Sequence, residues 1–205
     1  MSQIKNIIFD LGGVLLDVDY NKTADAFRRL GVTQFDELYS QANANRLFEE
    51  LETGSIKEEA FYENIGQYCT PDTSRDQMML AWNEILLDFR KSSLEYLKKL
   101  ADKYQLFLFS NTNSIHLTAF NKILADQTGE SSLDNYFIKS YYSHVIGKRK
   151  PYPETFEWIL KDAGLNASET LFIDDSVKNV EGAKMAGIQT HLLMPGEKIE
   201  DLDLL

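Results

Sequence analysis

Short apolar runs that stop abruptly at polar residues set the plan of this chain. Ile7-Ile8-Phe9 stops at Asp10, Leu106-Phe107-Leu108-Phe109 at Ser110, and Leu171-Phe172-Ile173 at Asp174-Asp175. Apolar runs without polar alternation predict strands buried on both faces, as in a parallel sheet. Two further strands are predicted over Phe137–Tyr142 and Thr190–Leu193. Helical spacing predicts helices over Leu94–Tyr104, Ile115–Leu124, Pro153–Ala163 and Val177–Ala186, the third closed by Gly164. Strands alternating with helices imply an α/β fold with a doubly wound, mostly parallel sheet.

The stretch between Asp10 and Ser110 is far longer than a crossover between parallel strands needs. Its pattern is helical. Helices are expected over Asn21–Leu30, Phe35–Ser40 and Asn45–Leu51, the first stopped by Gly31 and the last by Gly54. Ser55-Ile56-Lys57-Glu58 has the spacing of a capping box and would open a fourth helix through Phe61 and Ile65. A fifth is expected over Asp72–Leu87. Residues 17–88 therefore predict a helical cap inserted after the first strand. Residues 1–16 and 89–205 form the catalytic core. The tail after Pro195 is acidic and is expected at the surface.

Composition narrows the partners. The apolar fraction of 43% suffices for a packed core, and no apolar run is long enough to span a bilayer. Met1 to Lys5 is a short lead into a strand, not a signal peptide. A single cysteine, Cys69, rules out an internal disulfide and points to a reducing, cytoplasmic setting. The net charge of −11 argues against nucleic acid. These features leave a small molecule as partner, with no membrane and no nucleic acid.

The polar residues at the strand ends suggest the chemistry. Ligands in open α/β sheets bind at the carboxyl edge. An aspartate there can attack phosphorus and can also coordinate Mg²⁺, and either role suits Asp10. Ser110, with the backbone N–H groups of Asn111 and its neighbours, can bind phosphate oxygens. Gly147-Lys148-Arg149-Lys150-Pro151 places a lysine before a proline that fixes the backbone after it. Lys150 would neutralise charge shared by Asp10 and a phosphoryl group. Lys148 and Arg149 are expected to be surface charges. Asp174 and Asp175 repel each other unless a cation relieves them.

These four motifs, in this order, resemble the haloacid dehalogenase superfamily, whose members are mostly Mg²⁺-dependent phosphatases. The resemblance covers the catalytic domain, roughly half to two-thirds of the chain. It implies a Rossmann-like core, Asp10 as nucleophile and metal ligand, Ser110 as the second-motif hydroxyl, and Lys150 as the motif lysine. It also implies Asp175 as a direct Mg²⁺ ligand, Asp174 acting through water, and the Gly12 carbonyl as a further ligand. Phe9-Asp10-Leu11-Gly12-Gly13-Val14, Ser110-Asn111-Thr112-Asn113 and Arg149-Lys150-Pro151 look like the branch of bacterial hexose-1-phosphate phosphatases. The phosphatase domain of soluble epoxide hydrolases is a more distant likeness.

Position 12 departs from the family pattern, which has an aspartate there as general acid and base. Gly12 cannot serve, and Asp17 and Asp19 are the nearest carboxylates in sequence. One consequence is a preference for hexose 1-phosphates over 6-phosphates, because an anomeric oxygen leaves more readily. The leading expectation is a phosphatase for a small phosphorylated metabolite, acting through an aspartyl-phosphate. Its rivals are a metal-free dehalogenase, which an acidic pair at 174–175 disfavours, and a catalytically weak phosphate-binding module. Asn113 could cap a helix, Asn179 could order the acidic loop, and His116 is expected on a helix surface.

Overall fold

The computed structural model describes residues 3–35 and 45–205. Five parallel strands form the central sheet: β1 (Asn6–Phe9), β4 (Gln105–Ser110), β5 (Lys139–Tyr142), β6 (Thr170–Asp174) and β7 (Gln189–Leu192), in the order β5-β4-β1-β6-β7. β1 is the centre, in register with β4 and β6 so that Phe9 pairs with Leu108 on one side and Ile173 on the other. The unbroken apolar runs have the cause expected of them, since successive side chains enter opposite cores. Ile7, Phe9, Leu106, Leu108 and Ile173 pack under α5 (Lys91–Leu100) and α6 (Ser114–Thr128). Ile8, Phe107, Phe109 and Phe172 pack under α8 (Pro153–Ala163) and α9 (Val177–Met185). This is the doubly wound α/β arrangement.

A third apolar cluster holds the helices between Asp10 and Ser110. They are α1 (Tyr20–Arg29), α2 (Asn45–Glu52), α3 (Glu58–Gly66) and α4 (Arg75–Asn83). Trp82 is the hub, with the rings of Phe48, Phe61 and Phe27 at 5.1, 5.2 and 6.4 Å. Thr23 donates to the carbonyl of Trp82 at 2.9 Å and ties α1 to α4. The helix expected over Phe35–Ser40 lies, beyond Phe35, outside the described residues.

Several local expectations are corrected. Ser55 does not cap α3: the cap position is Lys57, without a side-chain bond, and the Ser55 hydroxyl meets that of Thr53. The capping box forms at Ser74 and Gln77, at the start of α4. The fifth helix ends at Asn83, and Leu86–Phe89 is instead strand β3, antiparallel to β2 (Leu16–Val18). This two-strand ribbon carries both chain crossings between the helical insertion and the sheet. A four-residue helix, α7 (Ser143–Ile146), follows β5. The acidic tail is docked, not loose: Ile199 is fully buried, and Tyr104 donates to the Leu204 carbonyl at 2.8 Å.

Candidate active site

The three strands that end in polar residues are neighbours, so their ends converge. Asp10 directly follows β1, and its N–H donates to Ile173 of β6 at 2.9 Å. Asp174 ends β6 and Ser110 ends β4, both buried. Lys150 reaches this edge from the loop before α8. Its Nζ lies 2.6 Å from Asp10 Oδ1 and 2.8 Å from Asp174 Oδ2, with the ammonium over the rings of Phe109 and Phe172. A lysine only 1% exposed is rare and tolerable only when paired. Burial pulls its ammonium down, but Asp10 and Asp174 outweigh this and hold it above its usual value. Burial pushes Asp10 up to about 7, with Lys150 opposing and Asp174 adding to the rise.

The backbone around Lys150 is clamped. Asn111 Nδ2 donates to the Lys150 carbonyl at 3.1 Å, and the Lys150 N–H donates to Asn111 Oδ1 at 3.0 Å. The Asn111 side chain is thus spent on the lysine loop, and its backbone N–H is what it can offer a phosphate. Gly182 of α9 lies so close to the Pro151 carbonyl that a Cβ there would sit 1.9 Å from it. Asn179 donates to both Asp174 oxygens at 3.1 and 3.0 Å, and the Ser176 N–H donates to Oδ1 at 2.7 Å. Asn179 therefore orders the acidic loop. Asn113 caps α6 by accepting from the His116 N–H at 3.0 Å.

Asp175 is the more open of the acidic pair. Its carboxylate lies against Gly13, where an added Cβ would meet Oδ2 at 2.0 Å, and Gly13 also has a φ of +74°. Glycine is required there twice over, for space and for backbone conformation. Burial and the charge of Asp174 raise Asp175 above the usual carboxylate range, while Lys150 opposes them. Carboxylate oxygens of Asp10, Asp174 and Asp175 lie within 4.8 Å of one another. Three carboxylates against one ammonium leave excess negative charge at one point. An all-oxygen donor set of this size fits a hard divalent cation such as Mg²⁺.

The floor opens into a cavity of about 670 Å³ that Gly12, Tyr20, Glu49, Glu52 and Arg149 also line. Arg149 is no plain surface charge. Its Nη2 is 3.0 Å from Glu52 Oε2 and its Nη1 3.6 Å from Glu49 Oε2, bridging the sheet edge to α2. Burial raises Glu52, Arg149 opposes the rise, and Glu49 adds to it. Tyr20 stands at the mouth, where loss of solvent at its hydroxyl and the charges of Asp10, Asp175 and Glu52 push the phenol to about 12. Glu52 and Tyr20 were missed from the sequence and Arg149 was taken for a surface charge, because the three meet only when α1 and α2 fold over the sheet. The two carboxylates nearest Gly12 in sequence are engaged elsewhere. Asp17 pairs with Arg90 Nε at 2.7 Å, and Asp19 caps α1 by accepting from the Asn21 N–H.

His116 is buried, contrary to the surface position expected. Its ring stacks on Trp82 at 4.8 Å, and its two nitrogens meet the Trp82 carbonyl and Asn113 Nδ2. Burial lowers it to about 4, so the ring is neutral at neutral pH.

The family model of haloacid dehalogenase-like hydrolases matches residues 4–187. A D-ribitol-5-phosphate phosphatase of Bacteroides thetaiotaomicron is 35% identical over 191 residues, covering 91% of this chain and 90% of its own. A HAD family enzyme from the same organism, solved in complex with magnesium and inorganic phosphate, superposes with a TM-score of 0.86 at 33% identity, covering 98% of this chain and 99% of that one. A HAD-like family hydrolase of Porphyromonas gingivalis superposes with a TM-score of 0.88, also at 33% identity, covering 98% and 97%.

Proposed function

The chain belongs to the haloacid dehalogenase-like hydrolases, and from that membership we propose that it hydrolyses a sugar or polyol phosphate through an aspartyl-phosphate on Asp10. It is a phosphoric monoester hydrolase with Mg²⁺ as cofactor. The observation that carries the mechanism is Lys150, buried between Asp10 and Asp174 at 2.6 and 2.8 Å, beside three clustered carboxylates. In this reading Asp10 is the nucleophile. Lys150 offsets the charge that Asp10 and the phosphoryl group would otherwise share. Ser110 and the N–H of Asn111 receive phosphate oxygens. Asp10, Asp175 and the Gly12 carbonyl hold the metal, with Asp174 acting from behind through its own hydrogen bonds. Bound there, Mg²⁺ supplies electrostatic stabilisation of the phosphoryl oxygens.

Helices α1 to α4, within the insertion of residues 17–88, serve as the cap that closes the cavity and chooses the substrate. Tyr20, Arg149 and the carboxylates of Glu49 and Glu52 suit a hydroxyl-rich molecule, since carboxylates accept from hydroxyls and repel a second anion. The relative named for D-ribitol-5-phosphate supports a polyol or sugar. A metal-free dehalogenase has no use for three converging carboxylates. A mere binding module has no use for a lysine buried against a nucleophile. No helix among the described residues is long and apolar enough to cross a membrane. The single cysteine supports a reducing, cytoplasmic setting, and the net charge of −11 disfavours a nucleic-acid partner.

The test is a screen of sugar and polyol phosphates, with paired 1-, 5- and 6-phosphates, in Mg²⁺ and in excess chelator. Full activity in chelator would reject the metal site. No activity on any phosphate ester would reject the function.

A further inference from the structure

Gly12 leaves the reaction without a proton donor at the place the family pattern supplies one. The leaving oxygen of a sugar or polyol phosphate is an alkoxide, which needs a proton to depart. The titratable groups around the floor can be taken in turn. Asp10 is the nucleophile in the reading above, and Asp174 and Lys150 are locked to each other. Asp17 is held by Arg90 and Asp19 by the start of α1. His116 has both nitrogens engaged. Tyr20, pushed to about 12, is a weak acid.

Asp175 is a metal ligand in the same reading, which leaves Glu49 and Glu52 of α2. Glu49 is the more exposed and lines only the large cavity, where Tyr152 donates to it at 3.4 Å. Glu52 also lines a smaller cavity of about 90 Å³, shared with Gly12, Tyr20 and Ser110. Glu52, Gly12 and Ser110 thus line the same two spaces. Glu52 Oε2 is buried and, though 3.0 Å from Arg149 Nη2, makes no aligned hydrogen bond. Arg149 holds the carboxylate in place without saturating it.

We propose that Glu52, reaching down from the cap, is the general acid and base that replaces the carboxylate absent at position 12. The inference rests on the phosphatase reading above. In the first step Asp10 Oδ forms a bond to phosphorus, the bond from phosphorus to the alkoxide oxygen breaks, and the Glu52 carboxyl gives that oxygen its proton. In the second step water attacks phosphorus, the Glu52 carboxylate takes the water proton, and the bond from phosphorus to Asp10 breaks, releasing orthophosphate. Burial of Glu52, which favours its protonated form, suits it to begin as the acid. Placement on the cap also couples chemistry to closure, since the acid is in position only when α2 covers the floor.

The test uses Glu52→Gln on two substrates: the best alkyl phosphate from the screen and p-nitrophenyl phosphate, whose leaving group departs without a proton. Turnover of the alkyl phosphate should fall by about 10² to 10⁴. With p-nitrophenyl phosphate the variant should release a burst of nitrophenol matching the enzyme concentration. Slow turnover should follow, because only the second step is impaired. A second variant adds Gly12→Asp to Glu52→Gln. A Cβ at Gly12 would sit 3.4 Å from Val18, an ordinary contact, and the aspartate should restore part of the lost rate. Equal losses on both substrates without a burst, or no loss on either, would overturn the role of Glu52. A wild-type enzyme inactive on both would instead overturn the phosphatase reading, before Glu52 is touched.

Discussion

The floor and the wall of the cavity are built by opposite rules. The floor is presented by three adjacent parallel strands and the loop before α8, and its groups are buried and mutually paired: Asp10, Lys150 and Asp174 form one ion cluster with almost no solvent. The wall is presented by α2 of the insertion, and its carboxylates, Glu49 and Glu52, keep more solvent and meet a core side chain, Arg149, across the joint. A rigid floor suits chemistry, which needs reacting atoms held to a fraction of an ångström. A looser wall suits selection and release, because it can move away. The difference teaches that the two halves should respond differently to the same kind of damage.

Asp10→Asn would break the floor most severely. The fold should survive, since the side chains are close in size, while activity drops on the order of 10⁴-fold or more. Beryllium fluoride should protect wild type against thermal unfolding and fail to protect the variant. Retention of wild-type rate would mean that water attacks phosphorus directly.

Lys150→Met comes next and should cost both rate and stability. It strands two buried carboxylates, a loss of about 3–5 kcal/mol. Denaturant melts measure this, and excess Mg²⁺ should recover part of it by supplying the missing charge. No recovery would count against the metal reading of Asp10 and Asp175.

The joint between floor and wall should be sensitive to acid. His116 binds a proton readily when unfolded, near 6.5, and resists it in the fold until about 4. Its contribution is therefore complete above pH 6.5 and is lost as pH falls toward 4, by roughly 3 kcal/mol at most. Melts across this range should show the slope in wild type and lose it in His116→Gln. An unchanged slope would assign the acid sensitivity to other groups.

At the rim the effect should be small. Tyr152→Phe removes a 3.4 Å hydrogen bond to Glu49 and should change KM by about twofold, leaving kcat unchanged. A large fall in kcat would show that the wall is as exacting as the floor.

The sequence alone determined the sheet and the floor. Unbroken apolar runs of three or four residues are satisfied by burial on both faces, so β1, β4 and β6 and the polar residue ending each could be read directly. Asp10, Ser110 and Asp174-Asp175 were found for that reason, and Lys150 because a proline and a family motif flank it. Gly12 was legible as an absence. What fills that absence was not, because Glu52 is near Gly12 only once α2 folds over the sheet edge. Sequence proximity favoured Asp17 and Asp19, and the fold used them for a ribbon contact and a helix cap instead. The β2–β3 ribbon was missed because strands of three and four residues gain their hydrogen bonds only from a partner about 70 positions away, a pairing that local propensity does not encode. Arg149 read as solvated and His116 as exposed for a related reason. Burial of a polar side chain depends on what packs over it, and here the covering surfaces belong to the insertion. Local pattern fixes which residues must leave water. Only the tertiary structure decides which charges meet when they do.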